Sequence, residues 1–521
     1  MPTFSIHPVD IFNSVKSMKD KLSRTPEGIP MFFIKRILKS IIVPLTDIFN
    51  HSIQSNCIPT QWKQSLITPI FKKGDRHIPI NYRPVALTSS FCRILESVIY
   101  ALILDHLLSN SLLSTNQFGF LPNKSSCSQL LTCLEKWLTA YCNSQPLFTA
   151  YTDISKAFDS VNHRRLIKVL KSLKICNQFI DWIGNFLSNR NQKVLVDSSS
   201  SSSLSVHSGI PQGSVLGPLL FLIFINDIVT SRELTNNNTQ FILFADDTKL
   251  INADPTELQS SLETFHSKLQ QYQLRLAPHK CSILPTGKKF DSLTLTSPII
   301  SINSTTLPYC NLVKDLGIHV SFDLSWGNHI SKIVQSTSSI SYQILKSFES
   351  KNVWTLIKLF KTYIRPKLEY NTPVWSPYLL KDIKAIEKIQ KRFTKSIFRR
   401  CNIPFSSYLD RLYKLNLFSL ENRRIRNDLI LFFKIINNLS DLNFDDYFKF
   451  QFCDYSLRGG SSKVVSTKEL KDRAWLKSFF ERAPYYWNKL EPSLRSVKSL
   501  DIFKIKLQTV NYDYLKKSLK S

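Results

Sequence analysis

The sequence predicts an α+β protein, and three observations carry that reading. Short apolar runs of strand character, Trp62–Phe71, Leu147–Ile154 and Gln240–Lys249, alternate with segments of helical spacing. From about residue 340 onward the pattern is almost entirely helical, rich in Lys, Arg and aromatic residues. A chain of 521 residues is also too long for one ordinary core, so two to four subdomains are expected.

Residues 1–60 read as helical. Pro30 ends a turn, and Ile37, Leu38, Ile41, Ile42 and Leu45 recur at helical spacing as far as Phe49. Trp62–Phe71 reads as a strand, Lys72-Lys73-Gly74-Asp75 as a turn, and Tyr82–Leu87 as the start of the return. Two amphipathic helices follow, over 91–108 and 126–142, joined by a loop holding Gln117-Phe118-Gly119-Phe120. Leu147–Ile154 is a buried strand with Asp153 near its end, and a helix is expected from about Val161. Lys193–Val196 begins a hairpin whose tip is the serine run Ser198–Ser203. After Pro211-Gln212-Gly213 comes an apolar helix over 217–229. Gln240–Lys249 reads as a strand that places Asp246 and Asp247 at its end; 256–273 is a helix and Leu312–Val320 a hairpin. No internal repeat is found.

Composition narrows the partner. Apolar residues make up 43% and charged residues 21%, which argues against wholesale disorder. The 68 Lys and Arg against 39 Asp and Glu leave +29, a surplus that favours a polyanion, and nucleic acid is the usual one. From Lys351 to Ser521 there are 35 basic and 16 acidic residues, so +19 of the +29 sits in the last third. The 10 cysteines form no CxxC pair and no zinc-type spacing, and Cys127 with Cys133 reads as two small apolar residues on a helix. Reduced thiols, the lack of a secretory signal pattern, and an apolar run (Leu219–Ile225) far short of the ~20 residues of a membrane span suggest no membrane partner. An intracellular location, in nucleus or cytoplasm and not secreted, is expected.

The chemistry-bearing constellation is acidic. Asp153 follows one apolar strand and Asp246-Asp247 ends another about ninety residues later. Carboxylates brought together out of water repel unless a cation neutralises them or a proton is retained. Mg²⁺ prefers one or two carboxylates plus water and substrate phosphate oxygens, and two such ions ~3.5–4 Å apart clamp both oxygens of a phosphoryl transfer.

The segments around these aspartates carry a family resemblance. Tyr-Thr-Asp-Ile-Ser-Lys-Ala-Phe-Asp-Ser-Val (151–161) resembles motif A of reverse transcriptases, Gly-Ile-Pro-Gln-Gly-Ser-Val-Leu-Gly-Pro-Leu-Leu-Phe (209–221) motif B, and Phe-Ala-Asp-Asp (244–247) motif C. Order and spacing match as well. The wording is similar to the polymerases of non-LTR, LINE-type retrotransposons, within them the jockey-like branch. It extends upstream through Asn-Tyr-Arg-Pro-Val-Ala-Leu (81–87) and Asn-Gln-Phe-Gly-Phe (116–120). Downstream it continues in Leu-Gly-Ile-His-Val (316–320), Tyr-Ile-Arg-Pro-Lys-Leu-Glu-Tyr (363–370) and Val-Trp-Ser-Pro-Tyr (374–378), covering about residues 25–515.

The resemblance implies a right-hand polymerase of fingers, palm and thumb, the palm an antiparallel sheet packed on helices. It divides the chain into an N-terminal helical extension (1–60), fingers (61–150), palm with part of the fingers (151–310), primer-grip hairpin and junction (311–340), helical thumb (341–440) and basic helical C-terminal region (441–521). It implies an RNA-directed DNA polymerase that adds dNTPs to a primer 3′-OH with two Mg²⁺ ions, Mn²⁺ being an alternative. Asp153 and Asp246 would bind both metals, Asp247 would complete the triad, and the Ile154 carbonyl would add an oxygen. Phe158 corresponds to the steric gate against a ribose 2′-OH. Backbone amides of Lys156 and Ala157 would cradle the triphosphate, while Asp159 is read as structural.

Gln212 and Gly213 would sit over the incoming nucleotide. Arg83 would grip phosphate through its fork, with Lys72 or Lys73 as a point charge; the sequence leaves open which. Lys280, in Leu-Ala-Pro-His-Lys-Cys (276–281), corresponds to the lysine that protonates pyrophosphate. Ala277 departs from the family, which usually carries Asn there, so an amide that would hold this loop is missing. Leu316, Gly317 and Ile318 belong to the primer grip. Lys358, Lys361, Arg365, Lys391, Arg392, Arg399 and Arg400 would grip a template–primer duplex by its phosphates.

Elements of this kind carry an endonuclease that nicks DNA to expose a primer. No His/Asp/Asn set of that type is found, so the nick is expected from a missing N-terminal region or from elsewhere, and the chain to be a fragment or a truncated copy. An RNase H domain is not expected either. Two competing readings follow: a catalytically silent nucleic-acid-binding remnant of such an element, and an RNA polymerase of related palm, against which Phe158 argues.

Overall fold

The computed structural model describes residues 5–20, 22, 25–235, 238–287, 298–404, 406–452, 463–467 and 472–516. The chain forms two compact units. One comprises Met1–Phe120, Tyr151–Cys281 and Ile299–Leu307, the other Leu121–Ala150, Ser282–Pro298 and Pro308–Ser521. Helices and largely antiparallel sheets occur together, so the class is α+β as expected.

In the first unit, the helix Met31–Gln54 buries Ile34, Leu38, Leu45 and Phe49 at helical spacing. Phe49 meets the edge of Trp62 at 5.9 Å, and Ser52 Oγ accepts a hydrogen bond from the Trp182 indole at 3.1 Å. That bond ties the N-terminal helix to the helix Asn177–Leu187. Strand β1 (Gln64–Phe71) pairs antiparallel with β2 (Tyr82–Leu87), from Leu66 opposite Leu87 to Phe71 opposite Tyr82. Strand β3 (Leu147–Thr152) enters this unit only with its last residues, Tyr151 and Thr152. β4 (Arg190–Val196) pairs parallel with β1, and β5 (Leu204–Val206) returns antiparallel on β4. The serine run lies in that return, as expected.

The helix Gly217–Val229 is the buried spine of this unit, with 11 of its residues in the core. Such all-round apolarity is what a helix packed on every side requires. Two local expectations differ. A 3₁₀ turn, Ala157–Ser160, precedes the helix, which starts only at His163 because Asn162 caps it by accepting the Arg165 N–H at 3.0 Å. Gln240–Lys249 is not one strand but a hairpin of β6 (Gln240–Phe244) and β7 (Asp247–Asn252), with Phe244 opposite Asp247. Ala245 sits in the left-handed region at φ +57°. Alternation of apolar residues is the same in one long strand and in a hairpin, so the reversal is invisible to periodicity.

In the second unit the helix Ser126–Cys142 packs on β3 through Trp137, whose indole donates to Thr149 Oγ1 at 3.0 Å. β8 (Ser282–Thr286) lies beside the same strand, Thr286 Oγ1 donating to the Leu147 carbonyl at 3.3 Å. β9 (Leu312–Asp315) and β10 (Ile318–Ser321) form the expected hairpin. Beyond it run the helices Gly327–Ser347, Leu380–Arg400, Leu420–Ile436 and Phe479–Asn488. Their core holds Phe433 stacked on Phe503 at 4.4 Å and a buried Arg482–Asp428 pair at 2.7 Å.

The expected helical C-terminal region is interrupted by an antiparallel hairpin, β11 (Phe448–Phe452) with β12 (Lys463–Thr467), where aromatic and β-branched residues favour extended backbone. Cys453 and residues 453–462 of that region lie outside the described residues. Among the described residues the cysteines form no disulfide, and Cys127 and Cys133 lie on one helix as expected.

Candidate active site

Three segments of the first unit converge on Asp153. β3 delivers Asp153 at its end, and the segment 275–280 is laced to it through the main chain: Ser155 N–H donates to the Arg275 carbonyl at 2.8 Å and Ala277 N–H to the Asp153 carbonyl at 2.9 Å. Lys280 N–H donates back to the Ala277 carbonyl at 2.9 Å, closing the turn Pro278–Lys280. The turn carries Lys280 Nζ to 2.9 Å from Asp153 Oδ2. Ala277 itself is buried at 2% exposure. The loop whose amide the sequence lacks is thus held by backbone bonds to the residue it serves.

The second carboxylate comes from the β6–β7 turn. Burial raises the Asp246 carboxyl above its ordinary range; the charge of Asp153 adds to this, while Arg83 and Lys72 act against it. Asp153, Asp246, Arg83 and Lys72 therefore share one electrostatic site. Lys73 is its exposed neighbour on the β1–β2 turn.

Asp247 is different: it opens β7 and is exposed, and among the described residues no three His, Cys, Asp or Glu side chains are arranged to hold a metal ion. The donor set at the pair is nevertheless all oxygen, and one member is half-buried against a like charge. That chemistry fits a hard divalent cation whose remaining ligands are water and phosphate.

Around the pair, Lys156 takes a left-handed conformation at φ +48° and exposes its side chain, with Ala157 buried behind it. A left-handed residue followed by a tight turn aims successive amides at one point, the geometry of an anion nest. Phe158 stacks on Phe221 at 4.5 Å and meets the edge of Phe120 at 6.3 Å, leaving its ring half-exposed. Gln212 Nε2 donates to Asp159 Oδ1 at 2.9 Å, so Asp159 orients the glutamine. Gly213, at φ +136°, lies so close to β2 that a Cβ would stand 2.2 Å from the Ala86 carbonyl oxygen. The Gln212 carbonyl accepts the Ala86 N–H at 2.7 Å, fixing the same approach from the other side.

Two residues that support this site were given no role by the sequence: Glu96 carried no signal, and Gln117 stood only within the segment 116–120 that carries the resemblance. Glu96, wholly buried on the helix Ser90–Ser109, accepts the amides of Val215 (2.7 Å) and Leu216 (3.0 Å), just beyond Gln212-Gly213. Gln117, buried at 2% exposure, accepts the Ala245 amide at 3.0 Å. A buried polar side chain reads as an ordinary surface residue of an amphipathic segment until its partner is known.

In the second unit, Leu316 and Gly317 form the β9–β10 turn at φ +42° and +87°, and Ile318 opens β10. Tyr370 clasps this turn: its hydroxyl donates to the Leu316 carbonyl at 3.1 Å, and a Cβ on Gly317 would meet its ring at 3.1 Å. Lys361 lies in a π-helical turn, Phe360–Ile364, just ahead of Arg365-Pro366, where proline has no N–H for the α-helical ladder. Burial lowers the pKa of both Lys361 and Arg365. Lys358 packs over the exposed Trp354 at 4.7 Å and Lys391 over Tyr408 at 5.0 Å. Arg392 and Arg399 are exposed. Arg400 instead turns inward, donating to the Phe348 and Leu345 carbonyls at the end of the helix Gly327–Ser347. Among the described residues no helix is long and apolar enough to cross a membrane.

Comparison with known proteins gives the following similarities. Residues 70–297 match the family model described as reverse transcriptase (RNA-dependent DNA polymerase). The chain is 28% identical over 363 residues to the RNA-directed DNA polymerase from mobile element jockey of Drosophila melanogaster, covering 67% of this chain and 39% of that protein. It is 24% identical over 404 residues to the probable RNA-directed DNA polymerase from transposon X-element of the same fly, covering 76% of this chain and 44% of that one. A polyprotein of the type-1 retrotransposable element R2 from Nasonia vitripennis shares 27% over 259 residues, 47% of this chain and 24% of the other. Among solved structures, telomerase from Candida albicans aligns over 79% of this chain and 62% of its own at 14% identity, with a TM-score of 0.42. The chain thus spans less than half the length of these curated relatives. Residues 70–297 are thus similar to reverse transcriptases, and two thirds or more of the chain is similar to RNA-directed DNA polymerases of mobile elements.

Proposed function

We propose that this chain is an RNA-directed DNA polymerase that adds dNTPs to the 3′-OH of a DNA primer on an RNA template, using two Mg²⁺ ions. The observation that carries the reading is the meeting of Asp153 and Asp246, with Lys280 Nζ 2.9 Å from Asp153 Oδ2, inside the segment that matches the reverse-transcriptase family. Asp153 and Asp246 would hold the ions, with Asp247 and the Ile154 carbonyl completing the set. When bound, the ions lower the barrier by neutralising charge on the attacking and leaving oxygens.

The remaining work falls to the chain itself. Arg83 and one of Lys72 and Lys73 bind triphosphate oxygens, and the amides of Lys156 and Ala157 cradle them. Phe158 closes the space a 2′-OH needs. Gln212, steered by Asp159 and braced by Gly213 against β2, lies over the nucleotide. Lys280 holds a proton at Nζ for the departing pyrophosphate. Leu316, Gly317 and Ile318 seat the primer end, and Lys358, Lys361, Arg365, Lys391, Arg392 and Arg399 grip backbone phosphates. Arg400 serves this surface by ending a helix rather than by touching phosphate. The nick that exposes a primer comes from outside residues 1–521.

A second reading, a silent nucleic-acid-binding remnant, draws on the exposure of Asp247. Primer extension on an RNA template with Mg²⁺ and dNTPs separates the two. Extension by the wild type and none by Asp246→Asn is the expected result; equal absence of extension with retained RNA binding would overturn the enzyme reading.

A further inference from the structure

The residues 116–119 run alongside β6 and end beneath the turn that presents Asp246. Leu243 N–H donates to the Asn116 carbonyl at 2.9 Å and Phe118 N–H to the Leu243 carbonyl at 2.8 Å, so this loop is bonded to β6 one step before the turn. Gln117 then reaches inward, and its Oε1 accepts two amides, from Gly119 at 2.8 Å and from Ala245 at 3.0 Å. Gly119 makes the approach feasible: a Cβ there would stand 2.4 Å from the Ala245 nitrogen.

Ala245 is the residue that needs support. It is a non-glycine residue in the left-handed region, at φ +57°, immediately before Asp246. An alanine prefers the right-handed or extended regions, so a left-handed alanine persists where the surroundings over-determine it. Its amide is buried, and a buried amide without an acceptor is costly. Oε1 of Gln117 is the acceptor. The same side chain leaves its Nε2 buried with no hydrogen-bond partner. The acceptor end of this side chain is thus the one the fold uses.

We propose that Gln117 is a positioning residue for Asp246: its Oε1 holds the Ala245 amide, sustains the left-handed turn, and so fixes where the Asp246 carboxylate points. It touches neither nucleotide nor metal. The inference deepens the polymerase reading, because what the turn presents is the carboxylate that reading assigns to the metals.

The test uses the full chain, with two substitutions. Gln117→Met fills the same space without a comparable acceptor, and Gln117→Glu keeps the acceptor. Three measurements are made: hydrogen exchange of the peptide spanning residues 240–250, Mn²⁺ binding by electron paramagnetic resonance without nucleotide, and the Mg²⁺ concentration for half-maximal primer extension. Gln117→Met is expected to speed exchange in that peptide and to weaken Mn²⁺ binding about tenfold, the lower end for loss of a group that orients a metal ligand. The half-maximal Mg²⁺ concentration rises in parallel, while the KM for template–primer stays within about twofold of the wild type, because the change acts on the metal carboxylate. Gln117→Glu keeps wild-type exchange.

Unchanged exchange and Mn²⁺ binding in Gln117→Met, or equal losses in both variants, would overturn the proposal. A wild type that binds Mn²⁺ but extends no primer would sink the polymerase reading alone, since exchange and Mn²⁺ binding still judge the role of Gln117.

Discussion

Lys280 Nζ stands 2.9 Å from Asp153 Oδ2, and both side chains are substantially exposed, at 53% and 37%. An exposed pair of this kind contributes only ~0–1 kcal/mol to stability, because water screens it and two long side chains are immobilised. Its contribution to folding is therefore small.

Lys280→Met is accordingly expected to leave the melting temperature within about 2 °C of the wild type, since the lost pair is weak. The rate constant of single-nucleotide addition should fall ~10²- to 10⁴-fold, the range of a lost general acid. Differential scanning fluorimetry and rapid-quench kinetics check both. A collapsed melting temperature would instead mark the lysine as structural.

Asp246 sets a pH dependence. Its folded pKa is raised above the ordinary 3.8, so the stabilising share of its protonation is fully present below that value and is lost as pH rises through the folded value. In metal-free buffer at neutral pH, Asp246→Asn should melt above the wild type, and the difference should close on acidification. Thermal melts from about pH 3 to 8 read this directly. A variant less stable than wild type at neutral pH would show that the carboxylate is compensated.

Phe158 stacks on Phe221 at 4.5 Å and presents the rest of its ring outward. Phe158→Val should lower the preference for dNTPs over rNTPs by about tenfold or more, on the scale by which one steric contact discriminates. The loss of stacking should cost about 1–3 kcal/mol of stability. Wild type that already takes rNTPs as readily as dNTPs would show that Phe158 is only a core aromatic.

Glu96 and Gly213 brace one loop from two sides. Glu96→Ala strands the amides of Val215 and Leu216, each costing about 1–3 kcal/mol, whereas Glu96→Gln keeps an acceptor and should retain most of the stability. Gly213→Ala forces a Cβ to 2.2 Å from the Ala86 carbonyl oxygen, so β2 must shift. Its KM for dNTP should rise about tenfold or more, since a displaced positioning group of this kind costs heavily. Steady-state kinetics beside urea melts distinguish the two effects, and an active, unshifted Gly213→Ala would contradict the close approach.

Arg399 and Arg400 are neighbours with opposite expectations. Arg399 is exposed, so Arg399→Ala should reduce the salt slope of template–primer binding by ~0.9, the share of one phosphate contact, at an unchanged melting temperature. Arg400 holds the Phe348 and Leu345 carbonyls, so Arg400→Ala should destabilise by about 1–3 kcal/mol with a smaller change in slope. Binding titrations over a range of salt, with melts alongside, check the pair; equal slopes for both variants would erase the distinction.

The α+β class, the strand that ends at Asp153, the buried helix Gly217–Val229, the β9–β10 hairpin and the basic charge of the last third are legible in the sequence. Each of these is written in local periodicity or in simple counts, which are read without knowing any distant partner. The reversal of Gln240–Lys249 at Ala245 is set by tertiary contacts, because the acceptor that stabilises it lies 128 residues earlier in the chain. Tertiary contacts likewise set that Lys280 meets Asp153 across 127 residues, that Glu96 caps Leu216 across 120, that Arg400 faces a helix end, and that Asp247 is exposed while Asp246 is half-buried. A buried polar group is satisfied by whatever the fold brings beside it, and that partner has no fixed spacing in the sequence.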